Sequence, residues 1–443
     1  MSENSVLNLA PPLLERVSTV PLLDHEECWR RLPQVVSGGQ PPLPSWVRAV
    51  CHALPRTAAA MLPLDFAHRV NSPLPPHMRG KLRWIIADLN RCDYSKAYAA
   101  ADLVRAGAVE SDLRSLSSDP SSWRDEEREP LEFIRQMTIA APTIPDELFA
   151  KLRSRFGDQQ VAAMVMLAAY GNFQDRLILG LNLPLEADGP FPPIDVRFEE
   201  SAFQMAPYVP TDEKLPFSGQ TGTGSVVSAD PDWGAISYDE LQSRLEHQRS
   251  RASRLPIPTW DEVKTRIPPA MAARPTRIVW NLVSAGYCPE LAVPWITSTR
   301  TLWAESKPDR IFEESLFWIQ TRSVECNYCM GHCEMLLGVA GLDPQEVADR
   351  TRRLAAADWS SFPPAEQRAY AYARKLSKTP WELTAADYRL LESDLGRDKA
   401  MATFWWLCRG LYMTRISDGF QLPLERENVF QSVPNTTSAP DEK

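Results

Sequence analysis

Three of the chain's eight cysteines fall in one short segment, Cys326-Asn327-Tyr328-Cys329-Met330-Gly331-His332-Cys333, together with one of only six histidines. Two thiols two residues apart at the start of a helix can close into a disulfide and open again, because the helix N-terminus favours the attacking thiolate. Helical residues three apart have Cβ atoms roughly 5–6 Å apart, so the ~3.5–4.5 Å needed for a disulfide asks only a local adjustment. His332 and an upstream carboxylate are the groups that can carry the protons. Ser323 is the expected N-cap, which puts Cys326 near the third helical position and Cys329 one turn later on the same side. By itself the Cys-x-x-Cys pair leaves redox chemistry, metal binding and inert packing all open. Cys326, Cys329, His332 and Cys333 are the right ligand types for structural zinc, but such sites usually draw two ligand pairs from separate segments. Attachment of a c-type haem needs His directly after the second Cys, and Met330 stands there.

The elements that must position these groups belong to a repeat. Shifted by 234 positions, Leu82-Arg83-Trp84-Ile85 falls on Leu316-Phe317-Trp318-Ile319, Cys92-Asp93-Tyr94-Ser95 on Cys326-Asn327-Tyr328-Cys329, and Gly107 on Gly341. With five further residues absorbed, Phe156-Gly157-Asp158-Gln159 falls on Leu395-Gly396-Arg397-Asp398 and Arg176 on Arg415. Asn182-Leu183-Pro184-Leu185-Glu186 then falls on Gln421-Leu422-Pro423-Leu424-Glu425. Matches that keep their order over about 105 residues indicate a tandem duplication.

Within the copies the apolar spacing is helical: Leu336, Val339 and Ala340 after the cluster, then Ala369, Tyr372, Ala373 and Leu376, then Tyr388, Leu391 and Leu395. Alternating β-branched runs bounded by hairpin turns are missing, so the expected fold class is all-α. Asp398 to Thr414 is expected to be buried on a broad face, and the apolar stretch Val161 to Tyr170 to be a buried helix. The predicted organisation is an N-terminal extension (1–45) wrapping the first copy, a first helical domain (46–200), a linker with a connecting helix (201–255), a second domain (256–430) and a frayed tail (431–443). The linker rests on the Pro/Gly/Ser/Thr-rich stretch between Tyr208 and Trp233. The 39 prolines are expected in connections and first helical turns.

An apolar content of 44% and a charged content of 24% are those of a soluble globular chain. A net charge of −9, with no Lys/Arg cluster longer than a pair, argues against nucleic acid as a partner. No apolar run is long enough for a membrane span, and the N-terminus lacks the cationic head of a secretory signal. The expected location is therefore the cytoplasm, where the scattered Cys28, Cys51, Cys92, Cys288 and Cys408 read as buried small hydrophobes.

Glu314, with Cys326 twelve residues later, Cys329, and a His in the next helical turn, resembles the alkylhydroperoxidase D-like branch of the carboxymuconolactone decarboxylase superfamily. The resemblance covers the second copy from Phe312 to Leu424 and the first more faintly. It implies an all-helical, usually oligomeric protein, and two tandem domains packed as an internal pseudo-dimer. It also implies that Cys329 attacks a peroxide oxygen, that Cys326 resolves the sulfenic acid to a disulfide, that Glu314 takes the thiol proton, and that His332 assists. One straight helix would hold Glu314 about 18 Å from Cys326 at 1.5 Å rise per residue, so the chain must turn between them, with Thr321 and Ser323 as the candidate break. Two positions depart from the family's pattern. Its downstream His stands four residues after the second Cys, where this chain has Cys333; His332 comes one residue earlier, about 100° round the helix. Tyr328 stands where peroxidase-type members can carry a His.

At the matching positions the first copy keeps Cys92 and Tyr94 but has Ser95 for Cys329, Tyr98 for His332, Ala99 for Cys333 and Gly80 for Glu314. It cannot form the disulfide, so it is expected to be a degenerate partner with Cys92 merely packed. The expected function is a thiol-dependent, peroxidase-like oxidoreductase acting on a hydroperoxide or a disulfide. No Gly-x-Gly-x-x-Gly fingerprint is present, so no cofactor is expected and electrons come from a dithiol protein or small thiol. Two alternatives stand beside it: a non-catalytic or zinc-binding helical protein, and a decarboxylase or lactone-type enzyme, in whose chemistry paired thiols have no evident task.

Overall fold

The computed structural model describes residues 16–117, 123–206, 213–217 and 231–431. Most of the Pro/Gly/Ser/Thr-rich linker, the first fifteen residues and the expected tail beyond Gln431 lie outside the described residues. The protein is all-α. Its helices are α1 (His25–Arg31), α2 (Ser45–Val50), α3 (Pro55–Phe66), α4 (Pro76–Leu89), α5 (Asp93–Arg105), α6 (Glu110–Leu116), α7 (Asp125–Ile139) and α8 (Asp146–Gly180), then α9 (Tyr238–Arg249), α10 (Trp260–Val263), α11 (Pro269–Ala272), α12 (Val279–Tyr287), α13 (Pro289–Ser306), α14 (Arg310–Ser323), α15 (Asn327–Val339), α16 (Pro344–Ala355), α17 (Pro364–Lys378), α18 (Ala385–Leu395) and α19 (Arg397–Phe420). One short antiparallel pairing departs from pure helix: Val35–Ser37 in the N-terminal segment pairs with Arg197–Phe198, tying that segment to the end of the first copy. Among the described residues no helix is long and apolar enough to cross a membrane.

The helices start and stop in step with the repeat. α4 and α14 are offset by 234 residues at both ends, as are α5 and α15, while α7 and α17 are offset by 239. The backbone marks the same points: left-handed residues pair as Arg91 with Glu325, Gly107 with Gly341, Gly157 with Gly396, and Asn182 with Gln421. Such residues end a helix by turning the chain back onto its last carbonyls. At the cluster, Glu325 (φ 59°) reverses the chain and the Cys326 amide donates to Thr321 O at 2.8 Å; Arg91 and the Cys92 amide do the same with Ala87 O.

This turn corrects two expectations. The break between Glu314 and Cys326 falls at Glu325, not at Thr321 or Ser323, which both remain in α14. Glu325 takes the left-handed conformation although a non-glycine residue there costs about 1 kcal/mol or more, so neither Gly nor Pro marks the turn in the sequence. Ser323 is not the N-cap either: its hydroxyl donates back to Ile319 O, and the cap position of α15 is Cys326 itself. Cys329 is therefore the third helical residue, where the amide dipoles of the first turn still act.

α8, which is broken by a kink at the non-helical Gly157, and α19 pack against each other at the centre. Val161 to Tyr170 is buried throughout, as expected, and α19 extends to Phe420 and is buried on nearly every side rather than on one face. Contacts between the copies are reciprocal. Arg176 Nη2 donates to Ser377 O (3.3 Å) and its counterpart Arg415 Nη2 donates to Thr138 O (3.0 Å), where Ser377 and Thr138 also correspond. Gly180 lies against Phe404, and Gly419 against Val165, by the same exchange. Added at Gly180, a Cβ would meet Phe404 Cε2 at 2.5 Å. Alanine gains about 1 kcal/mol of helix propensity over glycine, but overpacking costs about 1–3 kcal/mol. Gly180→Ala is expected to lower the denaturation midpoint; a raised midpoint would mean that propensity wins and the contact is soft.

Candidate active site

α14 contributes Glu314, and α15 contributes Cys326, Cys329, His332 and Cys333. α19 lies across both and supplies Arg409, Thr414, Ser417 and Asp418. All three cysteines are buried free thiols. Cys329 Sγ lies 3.2 Å from Ser417 Oγ, and Cys326 Sγ donates to Thr414 O at 3.8 Å. Burial pushes the Cys326 thiol well up, the neighbouring Cys329 sulfur and Asp418 add to it, and the Cys329 amide at the helix start opposes. Cys333 is also pushed up, first by burial and then by Glu314 and Cys329, with Arg409 opposing.

Two buried carboxyl groups flank the sulfurs. Burial raises Glu314 to about 7 against the opposing charges of Arg409 and Arg310, and its Oε2 meets no donor among the described residues. Burial also raises Asp418 to about 7, opposed by Arg415 and by a hydrogen bond from Cys326. Both hold or release a proton near neutrality, the range a general acid or base needs. Arg409 is the cation of the site. Burial lowers its pKa while Glu314, Cys329 and Cys333 pull it back, and its guanidinium lies over Trp406 (4.2 Å) and Phe317 (5.2 Å). Nε and Nη1 find no acceptor among the described residues.

His332 does not face a sulfur. Its Nε2 lies 2.7 Å from Glu425 Oε2, while Glu425 Oε1 accepts from Tyr328 OH (3.0 Å) and the Val279 amide (2.8 Å). Burial pushes Glu425 up, but His332 and then the Val279 amide more than offset it and hold the carboxyl below its usual range. The first copy builds the same node: Glu186 accepts from Tyr94 OH (2.6 Å), Tyr98 OH (2.9 Å) and the Ser45 amide (2.7 Å). His332 thus fills the slot of a tyrosine hydroxyl. With its ring turned to Glu425 it does not converge with the sulfurs, and no group of three His, Cys, Asp or Glu among the described residues is placed to hold a metal ion. His332→Tyr is expected to keep the fold and most of any thiol activity; a loss of thiol oxidation with unchanged stability would instead make His332 a proton carrier.

The structure brings together Cys326, Cys329, Cys333 and Glu314 of the residues singled out by sequence, and places His332 on a neighbouring node. Sequence reasoning missed Arg409, Ser417, Asp418 and Glu425. The match of Glu186 to Glu425 across the repeat was a signal for the last. For Arg409 and Asp418 the signal was an ionisable group inside a helix whose apolar positions leave it little solvent-facing surface.

A scan of protein-family models finds none that matches the chain. A search of curated proteins likewise finds no match.

Proposed function

We propose that the protein is a thiol-dependent oxidoreductase of peroxidase type, with Cys329 as nucleophile and Cys326 as resolving thiol. The observation that carries this reading is the pair of adjacent sulfurs at the start of α15, with Asp418 hydrogen-bonded to Cys326, Arg409 beside Cys329, and Glu314 near Arg409 and Cys333. Cys329 thiolate attacks the distal oxygen of a hydroperoxide; the O–O bond breaks, an S–O bond forms, and the alkoxide leaves as alcohol with the thiol's proton. Cys326 then attacks the Cys329 sulfur, the S–S bond forms, and the sulfenic oxygen leaves as water with the second thiol proton. Glu314 and Asp418 are the groups placed to pass these protons. An external dithiol or small thiol returns the two electrons.

The helix pair joined at Glu325, with Glu314 on its first member and Cys-x-x-Cys opening the second, also favours membership of the alkylhydroperoxidase D-like group. The reciprocal contacts of Arg176 and Arg415 favour an internal pseudo-dimer of the two copies. Eight free thiols suit a reducing compartment such as the cytoplasm. Cys329 is only 2% exposed, which favours a small hydroperoxide over a protein disulfide as the oxidant.

The test is thiol mass spectrometry on the reduced protein after one equivalent of hydroperoxide. A Cys326–Cys329 disulfide should appear before Cys333 is modified; oxidation beginning at Cys333, or no disulfide at all, would overturn the assignment. The rate of disulfide formation is expected to rise with pH through about 7 as Glu314 and Asp418 lose their protons. Stability moves the other way. Both folded carboxyls lie above their unfolded values of about 4, so the stability they add is full below pH ~4 and lost as pH rises through 7. Glu314→Gln should therefore stabilise the protein at pH 8 by roughly 1–3 kcal/mol while flattening the rate profile. Identical pH profiles for the parent and Glu314→Gln would remove Glu314 from the proton path.

A further inference from the structure

The first copy has lost the sulfur chemistry but contains a cavity of about 310 Å³ against α4, α5 and α8, at the positions that correspond to the second copy's site. Gly80, Tyr98 and Ala99 line it where the second copy has Glu314, His332 and Cys333. At the corresponding positions the second copy has Trp303, Phe317, Trp406 and Arg409 for Arg69, Arg83, Leu167 and Tyr170. The second copy keeps the thiols; the first lacks the pair and has a cavity at the matching positions.

The cavity wall is polar and built. After Phe66 the helix widens into a π-turn, Ala67–Asn71, while the matching stretch of the second copy remains regular α-helix in α13. A π-turn is energetically unfavourable and recurs at functional sites. It carries His68, which is 1% exposed, stacks on Tyr170 at 4.2 Å, and has no partner for either ring nitrogen among the described residues. Burial, with the charges of Arg83 and Arg79, depresses its pKa to about 3, so it is a neutral ring with one donor and one acceptor to offer. Arg69 is held by Asp65 and Asp102, Arg105 by Asp102, and Arg83 by Asp175. Arg79 donates to Leu74 O at 3.3 Å and makes no ion pair among the described residues. It thus lines the cavity as a guanidinium with no direct carboxylate contact among the described residues, Asp102 acting on it only through its charge.

We propose that this cavity binds a small monocarboxylate, its carboxylate held by Arg79 and His68 and its apolar body against Tyr98, Leu167 and Tyr170. The Arg79 guanidinium can pair with one carboxylate, and a neutral His68 beside it in the lining can donate one hydrogen bond to the same group. Asp65 and Asp102 in the same wall disfavour a dianion such as phosphate. The volume lies at the small end of ligand sites, which suits a benzoate-sized acid. This site is independent of the cysteine chemistry.

Isothermal titration calorimetry of the full chain with acetate, hexanoate and benzoate tests the proposal, with benzamide and inorganic phosphate as comparators. At least one carboxylate should bind with one-to-one stoichiometry at millimolar concentration or better, and benzamide should not. Arg79→Gln, a change at a partly exposed position, should weaken binding about tenfold or more, as expected for loss of a charge-assisted contact. Leu167→Trp, which installs the second copy's residue, should abolish binding while circular dichroism stays unchanged. Binding of phosphate in preference to every carboxylate, equal binding of benzamide, undiminished binding by a folded Arg79→Gln protein, or no binding at all would each overturn it.

Discussion

Cys329→Ser is expected to abolish hydroperoxide-dependent thiol turnover, by about 10³-fold or more, equivalent to ~4 kcal/mol of barrier. A serine hydroxyl at this position has no neighbouring group able to make it an alkoxide, whereas the thiol sits at the third residue of α15 with Arg409 close by. Cys326→Ser should behave differently. It leaves the nucleophile in place but removes the resolving thiol, so one equivalent of peroxide should stop at a sulfenic acid on Cys329 that a dimedone probe captures. Cys333→Ser should leave turnover near the parent's. Peroxide reduction measured with a dithiol in excess separates the three; turnover retained by Cys329→Ser would remove this residue from the chemistry and with it the proposed function.

The largest structural effect is expected at Glu425, a residue outside the thiol site. Its carboxylate satisfies Tyr328 OH, the Val279 amide and His332 in a node where both Glu425 and His332 are largely buried, with side chains 9% and 6% exposed. Removing one member of a buried charged cluster leaves the others desolvated and unpaired, which costs ~3–5 kcal/mol. Glu425→Ala is expected to destabilise the second copy by that amount in urea denaturation. Glu186→Ala in the first copy should cost a similar amount, because it accepts from Tyr94, Tyr98 and the Ser45 amide in the same geometry. A loss below about 1 kcal/mol at both sites, the range of an exposed ion pair, would mean that the node is not a structural clamp.

The two nodes show how one helical position turns His332 toward Glu425. Proximity in sequence to three sulfurs made His332 look like part of their chemistry, yet a step of one residue round a helix turns a side chain by about 100° and onto a different neighbour. That neighbour is Glu425, more than ninety residues away in the chain and invisible to local reasoning except through its repeat partner, Glu186. Similarly, the reversal at Glu325 carries no glycine or proline because the turn is enforced by the capping bond from Cys326 to Thr321 rather than by local preference.

By itself the sequence determined the helical class, the duplication and its two offsets, the Cys-x-x-Cys pair, and the loss of that pair from the first copy, because all of these are written in periodicity and in residue identity. It also required a turn between Glu314 and Cys326, since helix rise alone forbade a straight path. Only the tertiary structure decided which groups surround the sulfurs. Arg409, Ser417 and Asp418 reach them from α19 because two buried helices cross there. The protonation of Glu314 and Asp418 near 7 follows from burial, a property of the packed molecule and not of the residue type. The cavity around His68 depends on both: the repeat places it opposite the thiol site, and the π-turn with the smaller Leu167 keeps it open.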